Sequence, residues 1–177
     1  LNNTKTSATT GIFNGINVTG STTSTNSMVM TGNTVSGNTN TSTSTMTCID
    51  AGNAVTYQVN NNTVQNNVKN TATSGAFTGI TSTGSTTLTT SMTFNGNTVS
   101  GNTQQGTSDM TMLYANSAVN YTVTNNIVNG NSKTGASGAV YCTRTGGGST
   151  SNITYSSNQV YNNSISGTSG TTAVNLY

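Results

Sequence analysis

Six charged side chains and two thiols are the chain's whole stock for ionic or thiol chemistry. They are Asp50, Asp109, Lys5, Lys69, Lys133, Arg144, Cys48 and Cys142, in 177 residues without His or Glu. General acid/base catalysis needs titratable groups held together at one site. Asp50 follows one apolar patch and Asp109 precedes another, so their places in the sequence do not make a pair. Two cysteines cannot complete a zinc tetrahedron. A net charge of +2 is too thin to displace counterions from nucleic acid. The expectation is a protein that is not an enzyme, with no catalytic residue, no metal, no cofactor and no nucleic-acid partner. No apolar run approaches the ~18 residues of a membrane-spanning helix, so no membrane span is expected.

The remaining chemistry is of a quieter kind. Lys5, Lys69 and Lys133 stand 64 residues apart and are expected to form one solvated row. Cys48 and Cys142 lie on strands expected to be three layers apart, about 14 Å at sheet spacing. That is beyond the ~7 Å reach of a disulfide, so they are expected either as two small buried hydrophobes or as candidates for intermolecular contact in an oxidising compartment. Seven Asn-x-Ser/Thr sequons make Asn2, Asn17, Asn40, Asn61, Asn120, Asn152 and Asn162 candidate glycosylation acceptors.

The elements that position these residues are legible as repeats. Thr (41), Asn (29) and Ser (23) fill just over half of the chain, and apolar residues are only 30%. A conventional two-layer core would go unfilled. The scarce apolar residues are instead periodic. SMVMTGNTVSGNT (27–39) returns as SMTFNGNTVSGNT (91–103), an offset of 64. Segments 1–64, 65–128 and a partial 129–177 read as repeats within one domain, 1–177. Inside them a motif of the form N-x-V-x-[GN]-N starts at Asn33, Asn62, Asn97, Asn126 and Asn158. A repeat this short cannot bury its own apolar face, whereas stacked repeats can.

Anchored on the motif, three apolar columns emerge: Val35, Val64, Val99, Val128 and Val160; Met28, Tyr57, Met92, Tyr121 and Ile153; Met30, Val59, Phe94, Val123 and Tyr155. The last two are separated by two residues, the strand period. A third apolar patch follows about ten residues later, as in MTCI (46–49) and MTML (110–113). The columns predict an all-β parallel solenoid of about 30 residues per coil, with three short strands per coil and five to six coils. Two asparagine ladders are expected at the bends, because a primary amide both donates and accepts. One is Asn33, Asn62, Asn97, Asn126 and Asn158; the other is Asn38, Asn67, Asn102, Asn131 and Asn163.

This motif on coils of that length resembles the right-handed parallel β-helix of the pectin-lyase-like superfamily, in particular its non-enzymatic adhesin and surface-repeat members. The handedness is implied by that resemblance. The enzymes of the superfamily work with clustered aspartates, which this sequence does not contain.

The function expected is that of an extracellular or cell-surface structural protein. It would be a subunit that polymerises with itself into a filament or sheath through uncapped solenoid ends, with glycans as further partners. Near-absent charge and uncapped, β-rich strand edges favour association. An adhesin stalk or glycan-binding module of a longer surface protein is the alternative. A third reading, ice binding, rests on Thr-x-Thr pairs such as Thr43/Thr45, Thr81/Thr83, Thr87/Thr89 and Thr143/Thr145.

Overall fold

A computed structural model describes residues 3–6, 11–19, 26–70, 74–84, 89–146 and 151–167, together with the backbone of 173–174. Among these residues the chain is entirely β. The strands follow one another in a fixed cycle. The first two are β1 (Thr4–Lys5) and β2 (Phe13–Val18), then β3 (Ser27–Thr31), β4 (Thr34–Ser36), β5 (Thr39–Asn40) and β6 (Met46–Ala51). The cycle repeats as β7 (Thr56–Asn60), β8 (Thr63–Gln65), β9 (Val68–Lys69) and β10 (Phe77–Thr83). It repeats again as β11 (Ser91–Asn95), β12 (Thr98–Ser100), β13 (Thr103–Gln104) and β14 (Met110–Asn116). Next come β15 (Asn120–Thr124), β16 (Ile127–Asn129), β17 (Ser132–Lys133) and β18 (Val140–Gly146). The last are β19 (Asn152–Ser156), β20 (Gln159–Tyr161), β21 (Ser164–Ile165) and β22 (Ala173–Val174).

Every fourth strand joins the same parallel sheet. Sheet I is β1-β5-β9-β13-β17-β21, and sheet II is β2-β6-β10-β14-β18-β22. Sheet III runs from β3 to β19 through β7, β11 and β15; sheet IV runs from β4 to β20 through β8, β12 and β16. Strands from all three repeat segments take places in the same four sheets. The chain is therefore a parallel β-solenoid.

Three expectations need correction in detail. A turn takes about 32 residues, and there are about four turns rather than five to six. The terminal strands have a neighbour on one side only and do not close a buried layer. Each turn also has four strands rather than three. The extra one is the two-residue strand of sheet I, too short to announce itself by alternation.

The apolar columns stack in register. Val35, Val64, Val99, Val128 and Val160 are successive partners in sheet IV. In sheet III Met28, Tyr57, Met92, Tyr121 and Ile153 align, as do Met30, Val59, Phe94, Val123 and Tyr155. The interior is filled by these columns and by the inward residues of sheet II, including Met46, Phe77, Met110 and Val140. Residues of the same column touch across each ~4.8 Å layer, so a low apolar content suffices for a continuous core.

The corners are made by one position. The residue before each ladder asparagine has a positive φ: Gly32, Asn61, Gly96, Asn125 and Ser157 at the first corner, and Gly37, Asn66, Gly101, Gly130 and Asn162 at the second. Left-handed backbone is easiest for Gly and Asn, which explains the [GN] position of the motif.

Candidate functional site

Both asparagine ladders form, and their geometry accounts for every amide valence of an inner member. The Asn62 Oδ1 accepts from the Asn33 backbone N–H and Nδ2, each at 3.0 Å. The Asn62 N–H and Nδ2 in turn donate to the Asn97 Oδ1 at 3.0 Å. The second amide hydrogen of Asn62 goes back to the Met30 carbonyl at 2.8 Å. The same pattern carries Asn97 to Asn126 and Asn126 to Asn158. The second ladder runs Asn38, Asn67, Asn102, Asn131 and Asn163 with donor distances of 2.8–3.1 Å.

Asn3 heads the second ladder, donating N–H and Nδ2 to the Asn38 Oδ1 at 2.9 and 3.1 Å. Sequence reasoning passed over it, although it stands 64 residues before Asn67, the same offset that linked the lysines. The ladders have a direction. Each member donates toward the C-terminal end of the stack and presents its oxygen toward the N-terminal end.

The lysine row is corrected outright. Lys69 and Lys133 are not solvated; both are fully buried, at 0% exposure, and Lys5 is half-buried. They lie in sheet I, where the column reads Lys5, Asn40, Lys69, Gln104, Lys133 and Ile165. Each of these residues follows a ladder asparagine by two positions, so it faces inward with it. That offset was the available signal.

The Lys133 Nζ donates to the carbonyls of Gly106 and Ser108 at 2.8 Å each. The Lys69 Nζ donates to the Ser42 carbonyl. In the alternate turns an amide does the equivalent work. The Asn40 Oδ1 accepts from the Ser42 N–H at 2.9 Å, and the Gln104 Nε2 donates to the Gly75 carbonyl at 2.8 Å. The column thus cinches the loops between sheets I and II. Burial pushes both lysines below their ordinary pKa; for Lys69 the Lys5 charge adds to this, while for Lys133 Asp109 opposes it.

The other candidate residues divide. Cys48 and Cys142 are buried thiols on β6 and β18, with two strands between them. Burial raises both thiols, that of Cys142 to about 11. Neither reaches the surface, so the intermolecular contact expected of them is closed off in this fold. Of the sequons, Asn17, Asn61, Asn120, Asn152 and Asn162 are exposed. Asn40 is buried with its amide engaged in the loop, which removes it as an acceptor. Asn2 and Thr87 lie outside the described residues.

The threonine pairs do not keep register. The residues level with Thr81 are Asp50 and Tyr114, and the one level with Thr143 is Leu113. Asp50 and Asp109 sit on different turns, β6 and the approach to β14. No group of three metal-ligating side chains exists among the described residues. Arg144 faces outward between two rings, 4.8 Å from the Tyr114 centroid and 4.7 Å from that of Tyr141.

The end turns differ from the rest. The exposed large hydrophobics are Ile12 (62%), Val29 (61%), Ile153 (48%) and Tyr161 (43%). All four belong to the first or last turn. Ile153 is a core-column residue with no turn above it. At the N-terminal end a hollow of about 230 Å³ opens between β2 and β4, lined by Asn3, Gly15, Ile16, Thr34, Val35, Ser36 and Asn38. Comparison with known proteins gave no match to any family model, curated protein or solved structure.

Proposed function

We propose that the chain is a non-enzymatic structural protein of an extracellular surface, assembling end to end through its open solenoid turns into a filament or sheath. One observation carries the reading. The described end turns hold unfinished columns and unfinished ladders, laid out as if for one more turn. Asn33 and Asn3 present amide oxygens at one end. Asn158 and Asn163 present amide donors at the other. Apolar side chains lie beside each set. An edge of this kind, with the half-buried Lys5 as the one charged side chain among the described residues of the end turns, favours strand addition. The exposed sequon asparagines would carry glycans on the outer wall.

The same ladder ends would accept further turns of a longer chain equally well. The 64-residue repeat favours growth by repetition, so an adhesin stalk or glycan-binding module is the second reading. Light scattering and negative-stain microscopy of the purified chain separate the two. Rods that lengthen with protein concentration support assembly. Dispersed monomers at every concentration and salt reject it and leave the stalk.

A further inference from the structure

We propose that the outer face of sheet II is a two-fold, antiparallel contact between two copies of this chain, in which Asp50 of each copy pairs with Arg144 of the other. The contact is lateral, uses strands inside the stack, and does not depend on the end-to-end reading above.

Four of the six charged side chains already have partners. Lys69 and Lys133 are buried on loop carbonyls, the Lys5 Nζ donates to the Ser44 Oγ at 3.4 Å, and Asp109 accepts from the Ala139 N–H at 2.8 Å. Asp50 and Arg144 remain. Among the described residues neither makes a hydrogen bond or an ion pair. The Asp50 Oδ1 is buried without a partner, and that desolvation lifts the carboxyl above its ordinary pKa. The Arg144 guanidinium is held by the rings of Tyr114 and Tyr141, which leave its N–H donors without acceptors.

Both groups stand in one outward column. Its register reads Asp50, Thr81, Tyr114 and Arg144, on β6, β10, β14 and β18. Each is half-buried, while Ile49 and Ala51, Ile80 and Ser82, and Leu113 and Ala115 on either side of the first three are buried. Three layers, about 14 Å at ~4.8 Å per layer, separate the carboxylate from the guanidinium, so they do not meet within one chain. An acid and a base equally far from the middle of a column satisfy an isologous contact, in which residue i meets j and j meets i. With the two-fold axis normal to the sheet, between Thr81 and Tyr114, Asp50 faces Arg144 of the second copy and Thr81 faces its Tyr114. A two-fold axis along the solenoid would instead set Asp50 on Asp50 and Arg144 on Arg144.

The shapes agree with the charges. Tyr141 precedes Arg144 by three residues, and Gly52 follows Asp50 by two. Rotation about the axis reverses the strands, so Tyr141 of one copy comes over Gly52 of the other. A hollow of about 370 Å³ opens there, with Asp50, Gly52, Asn53 and Thr83 in its walls. It receives the Tyr141–Arg144 pair, while the uncharged Thr47, Thr78 and Thr111 line the adjoining column. Four strands of about seven residues cover roughly 400 Å² per copy, about half the area of a standard interface. The contact is therefore weak and is read at high protein concentration.

Sedimentation equilibrium of the full, unglycosylated chain tests this, with folding checked by circular dichroism. The parent is expected to form a closed dimer at low salt that weakens as salt rises. Arg144→Asp and Asp50→Arg each set like charges together at both contacts, and each is expected to weaken pairing by roughly tenfold or more. Mixed in equal amounts, these two variants are expected to pair with one another about as tightly as the parent does with itself, because both contacts become complementary. If Asp50→Arg fails to fold, Asp50→Asn keeps the shape and is expected to weaken pairing by roughly threefold or more. A parent that stays monomeric at low salt overturns the proposal, as do single variants that pair like the parent. A mixture that does not pair overturns the two-fold geometry. A loss confined to Arg144→Asp means that the guanidinium serves another anion, and overturns it too. If the chain also grows into rods, the contact is read as rods paired side by side, so lateral pairing and end-to-end growth succeed or fail separately.

Discussion

Two polar columns run side by side through this solenoid and solve the same problem differently. The asparagine ladders place an identical residue on every turn, and each inner amide satisfies the next. The sheet I column, two residues further on, alternates lysine with asparagine or glutamine, and its head groups satisfy loop carbonyls instead of one another. An amide can stack on its own kind because it carries both donor and acceptor. An ammonium has donors only, so lysine on every turn would stack like charges in a dry interior. The alternation makes the true repeat two turns long. It coincides with alternating loops: from the sheet I column to the next sheet II core position, the path is eight residues after Lys69 (to Phe77) but six after Asn40 (to Met46) and after Gln104 (to Met110).

The sharpest way to break this comparison is to interrupt a ladder in mid-stack. Asn97→Leu strips the acceptor from the Asn62 N–H and Nδ2, and the donor from the Val59 carbonyl. The expected loss is about 3–5 kcal/mol by chemical denaturation, since each stranded buried group costs about 1–3 kcal/mol. Asn33→Leu, at the end of the same ladder, is expected to cost under about 1 kcal/mol.

The lysine column should be more forgiving. Lys133→Met deprives two carbonyls of a donor but also removes a buried charge, and the expected cost is about 1–2 kcal/mol. A cost equal to that of Asn97→Leu would erase the distinction between the two columns.

The columns also differ in pH response, because only one of them titrates. Lys69 and Lys133 have folded pKa values below the ordinary 10.5. Below that ordinary value the unfolded chain binds more protons, so stability should rise with pH across the window between the folded and unfolded values. Tyr57 acts in the opposite direction: burial raises it from 10.0 to about 12, so the stability it contributes declines above pH 10. Denaturation midpoints should therefore climb only to about pH 9, where the raised Cys48 and Cys142 thiols begin to oppose the lysines, and fall above pH 10, and the climb should flatten in Lys69→Met/Lys133→Met. A climb that persists in the double variant would place its origin elsewhere.

The smallest effect concerns the corner that both columns share. Gly130 has φ +63, a Cβ there would make only an ordinary contact with the Gly101 backbone nitrogen at 3.9 Å, and its column already contains Asn66 and Asn162. Gly130→Asn should stay within about 0.5 kcal/mol, whereas Gly130→Val should cost about 1–2 kcal/mol through left-handed strain. Equal costs would mean that the position is chosen for space and not for backbone conformation.

Much of this was legible in the residues. Asn97 and Val99 could be placed on their columns from spacing alone, because in-register stacking turns sequence period into spatial contact. Asn3 was missed because the valine position of its motif would fall before residue 1, which leaves only the end of the motif to read. Lys69 was misplaced because a charged residue is usually solvated. Its environment depends on loop carbonyls contributed by the previous turn, which no local pattern displays.

The amino-acid sequence by itself determined the columns, the two-turn repeat and the corner chemistry, since each follows from residue type at a fixed period. Only the tertiary structure decided that Lys69, Lys133, Cys48, Cys142 and Asn40 face inward, that a fourth sheet exists, and which strands stand at each end. Those outcomes depend on which side of a two-residue strand meets the interior and on what the neighbouring turn places there, and burial is a property of the stack rather than of any one repeat.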